Sequence, residues 1–287
     1  MHGSKTASTP IIRTSSVTTR REGQSMRAFA FASAISLLVA AGAADAAPRR
    51  AASLNLCTDE LLLMLAASEQ IASVTHLAQK EAETPLWRQA RRYRTNDGSL
   101  VSVAGLRPDL VLTMGGGARD RVRIAERLGI RILDLPYPQT IGDVEKSIGT
   151  VAAALGRPDR ARPLLNAIEA LKRSAPHEAT ESIWLGGGGR SVGPESLAGQ
   201  WMALAGLRQR PLPGDRLTLE QLLVAPPRIL LRSDYRAGQY SGEQRWLAHP
   251  LAKATGKART LVTDGRLWTC MGPLLGGEIA RLKAVRK

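Results

Sequence analysis

Gly189-Arg190-Ser191-Val192-Gly193 spells Gly-x-Ser-x-Gly, the spacing that lifts a serine nucleophile on a sharp strand-to-helix turn in many hydrolases. Such a turn opens directly into a helix, whereas here Pro194 and Glu195 intervene, and His249 before Pro250 is the sole histidine downstream. A hydrolase using Ser191 is therefore the minor alternative. Glycine runs at 115–117 and 186–189 leave backbone N–H groups near helix starts, where an anionic group can sit. The second run fits no Gly-x-Gly-x-x-Gly register, and no Lys-Ser/Thr pair completes a phosphate loop. A close backbone approach to a ligand, or a tight turn, explains it better.

The two cysteines, Cys57 and Cys270, admit a disulfide, two free thiols, or a contact to a soft metal. Two thiols without paired histidines are a thin ligand set, so no metal site is expected; the sequence does not choose between bonded and free thiols. Aromatic faces and cations supply the remaining chemistry. Tyr93, Tyr137, Tyr235, Tyr240 and Trp268 fall on or beside loops, as do Arg94, Arg119, Arg190, Arg216 and Arg236. Tyrosine and tryptophan can cover a large planar ligand, and arginine pairs with carboxylates or phosphates. With Asn55, Cys57, Gly116, Gly188 and Cys270, all of these except Tyr240 form the candidate binding set. They favour a polar or anionic small molecule, with no resident cofactor.

The elements that position these residues can be read from periodicity and breakers. Leu106-Arg107-Pro108-Asp109-Leu110-Val111-Leu112 and Leu223-Val224-Ala225-Pro226-Pro227-Arg228-Ile229-Leu230-Leu231 each place a helix end, stopped by proline, before a short apolar run. That is the pattern of a strand entering a parallel sheet. Further strands are expected at 51–56, 71–75, 130–135, 182–185 and 259–262. Helices are expected at 60–67, 87–92, 100–106, 119–128, 197–205 and 219–224, around Trp246, and at the C-terminal end. Thr58 or Asp59 is the expected cap of the first helix. Segments 94–99 and 208–215 read as loops. From 140 to 174 the apolar spacing of three and four predicts a stiff helical connector, although Pro158 and Pro163 count against an unbroken rod. The fold class is thus α/β: two lobes, each with a central, mainly parallel sheet flanked by helices, joined by a long rigid interdomain helix. Ligand-facing loops should lie at the carboxyl ends of the strands.

Arg27, the apolar run to Ala44 and Ala44-Asp45-Ala46 match the three parts of a cleaved secretory signal. Export to the periplasm follows as an expectation, and residues 1–46 are set aside as leader. The chain carries a net charge of +15, and removing the leader leaves it strongly basic. The positive residues are scattered and aromatics are few, so no nucleic-acid partner is expected. Anionic small ligands or an anionic membrane surface suit the charge better.

The order of Asn-Leu-Cys-Thr-Asp-Glu at 55–60, Leu-Arg-Pro-Asp-Leu-Val-Leu, Gly-Pro-Glu-Ser-Leu at 193–197, Leu-Thr-Leu-Glu-Gln-Leu at 217–222 and Leu-Trp-Thr-Cys-Met-Gly-Pro at 267–273 resembles the periplasmic binding proteins of ABC importers for vitamin B12, ferric siderophores and haem. The resemblance covers residues 50–287. It implies a non-catalytic, monomeric receptor with an N-terminal lobe at 47–139, a connecting helix at 140–174 and a C-terminal lobe at 175–287. An iron chelate or corrinoid would sit between the lobes and be passed to an inner-membrane ABC permease. A non-transport, ligand-sensing adaptor is a further alternative. Tyr137 and Tyr235 each carry a phenol that could coordinate haem iron, and nothing singles out either. Docking in this family uses an acidic residue on each lobe. Glu220 matches the second; Leu100-Val101-Ser102-Val103 departs from the first, and Asp97 is the acid that would substitute.

Overall fold

The computed structural model describes residues 47–116, 119–236, 241–253 and 258–286. The export signal expected at 1–46 lies outside the described residues. Among those described, no helix is long and apolar enough to cross a membrane.

The first sheet contains β1 (Ala51–Ser53), β2 (Ile71–Thr75), β3 (Arg94–Asn96), β4 (Leu110–Met114) and β5 (Arg131–Leu135). Its order is β3-β2-β1-β4-β5, with every pair parallel. Helices α1 (Leu56–Leu65), α2 (Trp87–Ala90), α3 (Leu100–Ala104) and α4 (Arg119–Arg127) connect these strands. The second sheet contains β6 (Thr180–Leu185), β7 (Leu207–Gln209), β8 (Ile229–Ser233) and β9 (Arg259–Thr263), again parallel, in the order β7-β6-β8-β9. Between the sheets come α5 (Ile141–Ala154) and α6 (Pro158–Arg173). Around the second sheet lie α7 (Leu197–Leu204), α8 (Leu219–Val224), α9 (Gly242–Ala248), α10 (Pro250–Lys253), α11 (Leu267–Cys270) and α12 (Leu275–Val285). The α/β class and its two parallel sheets agree with the sequence reading.

Several local expectations need correction. β3 and residues 208–209 of β7 read as loops from sequence, because these strands have only three residues each and are largely polar; pairing with Ser73–Thr75 and Thr180–Ser182 makes them strands. The first helix begins at Leu56, not Glu60. Its cap is Asn55, whose side-chain oxygen accepts the Cys57 N–H at 2.8 Å. The connector is two helices folded back on each other. Gly156 takes φ +68° just after α5, and Pro158 opens α6. The hairpin brings Lys172 Nζ to Glu145 of α5 at 2.6 Å, while Glu169, one turn back on α6, holds the same ammonium at 2.8 Å.

One apolar core serves both sheets. Leu62 and Leu65 of α1, Ile148 of α5, Ile168 of α6, Trp201 of α7 and Ile279 of α12 are all fully or almost fully buried in a single cluster. Cys57 in α1 and Cys270 in α11 form a disulfide with Cα atoms 5.2 Å apart, tying the first-sheet half to the second. This decides the cysteine question left open by the sequence. Beneath it, Asp59 accepts the Thr75 N–H at 3.0 Å as well as the Thr75 hydroxyl, and Glu60 accepts from Thr84 Oγ1 at 2.7 Å. Both carboxyls are buried, and desolvation outweighs these hydrogen bonds. Asp59 is raised from 3.8 to about 6 and Glu60 from 4.5 to about 7.

Two expectations follow. Replacing Cys57 and Cys270 by alanine removes a crosslink closing a very long loop and should lower stability by about 2–4 kcal/mol; urea unfolding with and without dithiothreitol checks this, and coincident midpoints would refute it. Because the folded pKa values of Asp59 and Glu60 lie above their unfolded values, their contribution is full below about pH 4 and is lost as pH rises through about 6 to 7. Urea midpoints should therefore fall between pH 5 and 8, and Asp59→Asn with Glu60→Gln should flatten that slope.

Candidate functional site

A parallel sheet opens a crevice where neighbouring strands send their connections to opposite sides. In the second sheet this point lies between β6 and β8, and a cavity of about 540 Å³ is found there. Its wall comes from Trp184 and the residues after β6, from Ser233 at the end of β8 with Tyr235 and Arg236 after it, and from Ser241, Glu243 and Gln244 at the start of α9. The volume is in the range of small-molecule sites.

At the end of β6, Ile183 and Leu185 are fully buried and Trp184 between them faces the other way. Trp184 stacks at a tilt on Trp268, with ring centroids 5.9 Å apart. The glycine run after β6 allows close packing. A Cβ on Gly189 would lie 2.4 Å from the Leu217 carbonyl oxygen, and one on Gly187 would lie 3.0 Å from Glu243 Cβ. The Gly186 N–H donates to the Arg190 carbonyl at 2.8 Å. These glycines therefore admit α9 and the 217 segment; no anion is needed to explain them.

The loop after β8 reaches across to the first-sheet half. Tyr235 Oη donates to Glu83 Oε2 at 2.8 Å, and Arg236 donates to Glu83 Oε1 at 2.5 Å. Arg266 Nη1 makes a parallel tie to the Glu81 carbonyl at 2.9 Å. Burial, and then the neighbouring Glu83 carboxylate, raise the Tyr235 hydroxyl above its ordinary value. The Arg236 guanidinium lies 5.0 Å from the Tyr235 ring centre. On the opposite wall Arg190 pairs with Glu243.

Of the residues nominated from sequence, Arg190, Tyr235 and Arg236 line this cavity. Gly188 and Arg216 support it, since Arg216 Nη2 donates to the Gly188 carbonyl at 2.8 Å. The others sit elsewhere. Asn55 caps α1, Cys57 and Cys270 are bonded to each other, and Tyr93 packs against the core. Arg94 is exposed on the edge strand β3, and Gly116 is exposed at φ +75°. Tyr137 lays its ring over Gly115 and is 58% exposed. Trp268 is buried, with Nε1 donating to Thr263 Oγ1 at 2.8 Å. Arg119 begins α4, with its side chain outside the described residues, as is Tyr240. Sequence reasoning missed Trp184, Glu83 and Glu243. Trp184 is the one signalled in advance, as the outward position of an alternating strand just before a glycine run.

Ser191 is not set on an elbow. Its N–H donates to the Asp215 carbonyl within an extended stretch that bridges Arg190 to Arg216, and the next helix begins only at Leu197. Its hydroxyl donates to the Trp184 carbonyl at 2.6 Å and accepts from Gln209 Nε2 at 3.1 Å. A serine whose proton is committed to a main-chain oxygen lacks the base that activates a nucleophile. Among the described residues, no group of three or more His, Cys, Asp or Glu is arranged to hold a metal.

α3 and α8 correspond between the two halves, with Ser99 and Thr218 as their caps. Two places after the cap stands exposed Glu220 in α8, where α3 has Val101, 83% exposed. Hydrogen bonds from its own backbone N–H and from Thr218 hold the Glu220 carboxyl below its ordinary value. Asp97 is likewise exposed, and bonds from Ser99 and Ser102 lower it to about 2.

Residues 52–209 match the family model described as periplasmic binding protein. No curated protein matches the chain. Among solved structures, a periplasmic heme binding protein from Pseudomonas aeruginosa is 20% identical, with a TM-score of 0.58 over 83% of this chain and 92% of its own. The siderophore binding protein BauB, bound to two acinetobactin molecules and ferric iron, is 16% identical, with a TM-score of 0.63 over 83% and 93%. The periplasmic vitamin B12 binding protein BtuF of Vibrio cholerae is 15% identical, with a TM-score of 0.57 over 83% and 96%. At these identities the structures attest a common fold. The match across more than half of the sequence places this chain in the periplasmic binding protein family.

Proposed function

We propose that this protein is the solute-binding component of an ABC importer, capturing an iron chelate, haem or corrinoid and delivering it to an inner-membrane permease. The observation that carries the reading is the cavity at the β6–β8 crevice, in a chain of this family, with Trp184 and Tyr235 offering ring faces and Arg190 and Arg236 offering cations. A cleaved signal within residues 1–46 would bring the chain to the periplasm. Ligand binding works by differential contact: whichever arrangement of the cavity loops the ligand touches best becomes the populated one, and the permease meets that arrangement.

Docking by Glu220 and Asp97 belongs to the same proposal. Both are exposed carboxylates, one on each half, and both are held in the charged form by local donors.

Titration of the purified protein with haem, cyanocobalamin and a panel of ferric siderophores should show saturable tryptophan quenching, at submicromolar concentration, for one of these classes. Trp184→Phe should remove much of that signal, and a flat response to every class would refute the cargo assignment. Glu220→Lys should abolish uptake of the cargo in cells while leaving its affinity within about twofold of wild type, since a rim charge contributes little to binding elsewhere. Unchanged uptake would refute docking through this residue.

A further inference from the structure

The cavity wall carries two arginines, each held by a carboxylate, and the two pairs differ sharply in burial. Glu83, which holds Arg236, has a side chain only 8% exposed, and it accepts from Tyr235 as well. Drawing Arg236 away would leave a buried carboxylate short of its cation, a strongly unfavourable state. Arg190 and Glu243 are 58% and 54% exposed, so separating them returns both charges to water at little cost. An incoming anionic group therefore has one readily released cation.

Resting on the receptor reading above, we propose that Glu243 is a place-holding competitor for Arg190, displaced by an anionic oxygen group of the ligand, such as a carboxylate. Glu83 meanwhile keeps Tyr235 and Arg236 in position. The surroundings suit an exchange confined to side chains. The Arg190 main chain is pinned by the bonds between Gly186, Gly187 and Arg190 and by the bridge to Arg216. Glu243 lies over Gly187 and Gly188, and its helix does not depend on its carboxylate: Ser241 caps α9 by accepting the Gln244 N–H at 3.1 Å. Along the cavity Glu243 offsets Arg190, and Glu83, set behind the lining residues, offsets Arg236, in a chain of net charge +15. Displacing Glu243 uncovers positive charge only when an anion is there to meet it. Glu243 thereby sets the charge selectivity of the site.

The test compares wild type, Glu243→Gln, Arg190→Gln and the double variant. Four probes are titrated: iron protoporphyrin IX and a ferric tris-catecholate, which are anionic, ferrichrome, which is uncharged, and cyanocobalamin, which is neutral overall but carries a phosphodiester. Iodide and uncharged acrylamide quenching of tryptophan is measured on the ligand-free proteins. The expected result is that Glu243→Gln tightens a bound anionic probe by up to about fivefold, the ceiling set by an exposed ion pair. Arg190→Gln should weaken the same probe, and Glu243→Gln should add nothing in the Arg190→Gln background. Iodide quenching should rise in Glu243→Gln and fall in Arg190→Gln, with acrylamide quenching unchanged. Binding of ferrichrome alone, or equal shifts for ferrichrome and the anionic probes, would overturn the exchange. If none of the four binds wild type, the cargo reading fails and iodide decides this proposal by itself: quenching unaltered by Glu243→Gln overturns it.

Discussion

The apolar core shared by the two sheets governs the molecule. Leu62, Leu65, Ile148, Ile168 and Trp201 are buried in one cluster that passes from α1 through the α5–α6 hairpin to α7 and α12. Each such side chain contributes about 1.5–3 kcal/mol when fully buried, whereas an exposed ion pair contributes about 0–1 kcal/mol. Apolar contact thus fixes how the halves face each other. The polar ties, Glu83 to Tyr235 and Arg236, and Arg266 to the Glu81 carbonyl, orient loops upon that frame.

The two sheets use equivalent positions differently. Each has a crevice at its reversal of strand order, between β1 and β4 in the first and between β6 and β8 in the second. Near the first, Cys57 at the start of α1 meets Cys270, and a pocket of about 20 Å³ lies among Glu60, Met114, Pro138 and their neighbours. Beside the second, Gly187, Gly188 and Gly189 let α9 pack close against the loop beyond β6, next to the cavity of about 540 Å³.

How much of this was legible depended on the range of the interaction concerned. Strands such as Leu110–Met114 and Ile229–Ser233 announce themselves through apolar runs after proline, a local signal. β3 and β7 do not, because a three-residue edge strand exists only through its neighbour. The hairpin between α5 and α6 was half visible: Gly156-Arg157-Pro158 marks a break, but the reversal is fixed by packing. At the cavity, Arg190, Tyr235 and Arg236 follow from the rule that ligand loops lie at strand ends. Glu83 was out of reach, because its partners lie 152 and 153 positions away. Trp268 misled for the opposite reason: a tryptophan near a loop can face inward, and here Thr263 satisfies its indole N–H.

The disulfide also constrains how the chain comes to exist. Its two sulfurs are separated by 213 positions, so the bond has to wait until nearly the whole of both sheets has been released. With just two cysteines in the chain, no wrong pairing within one molecule is available, and maturation needs an oxidant but no reshuffling. The incorrect product open to it is a bond between two copies, which makes dilution during biogenesis, rather than isomerisation, the safeguard of the correct form.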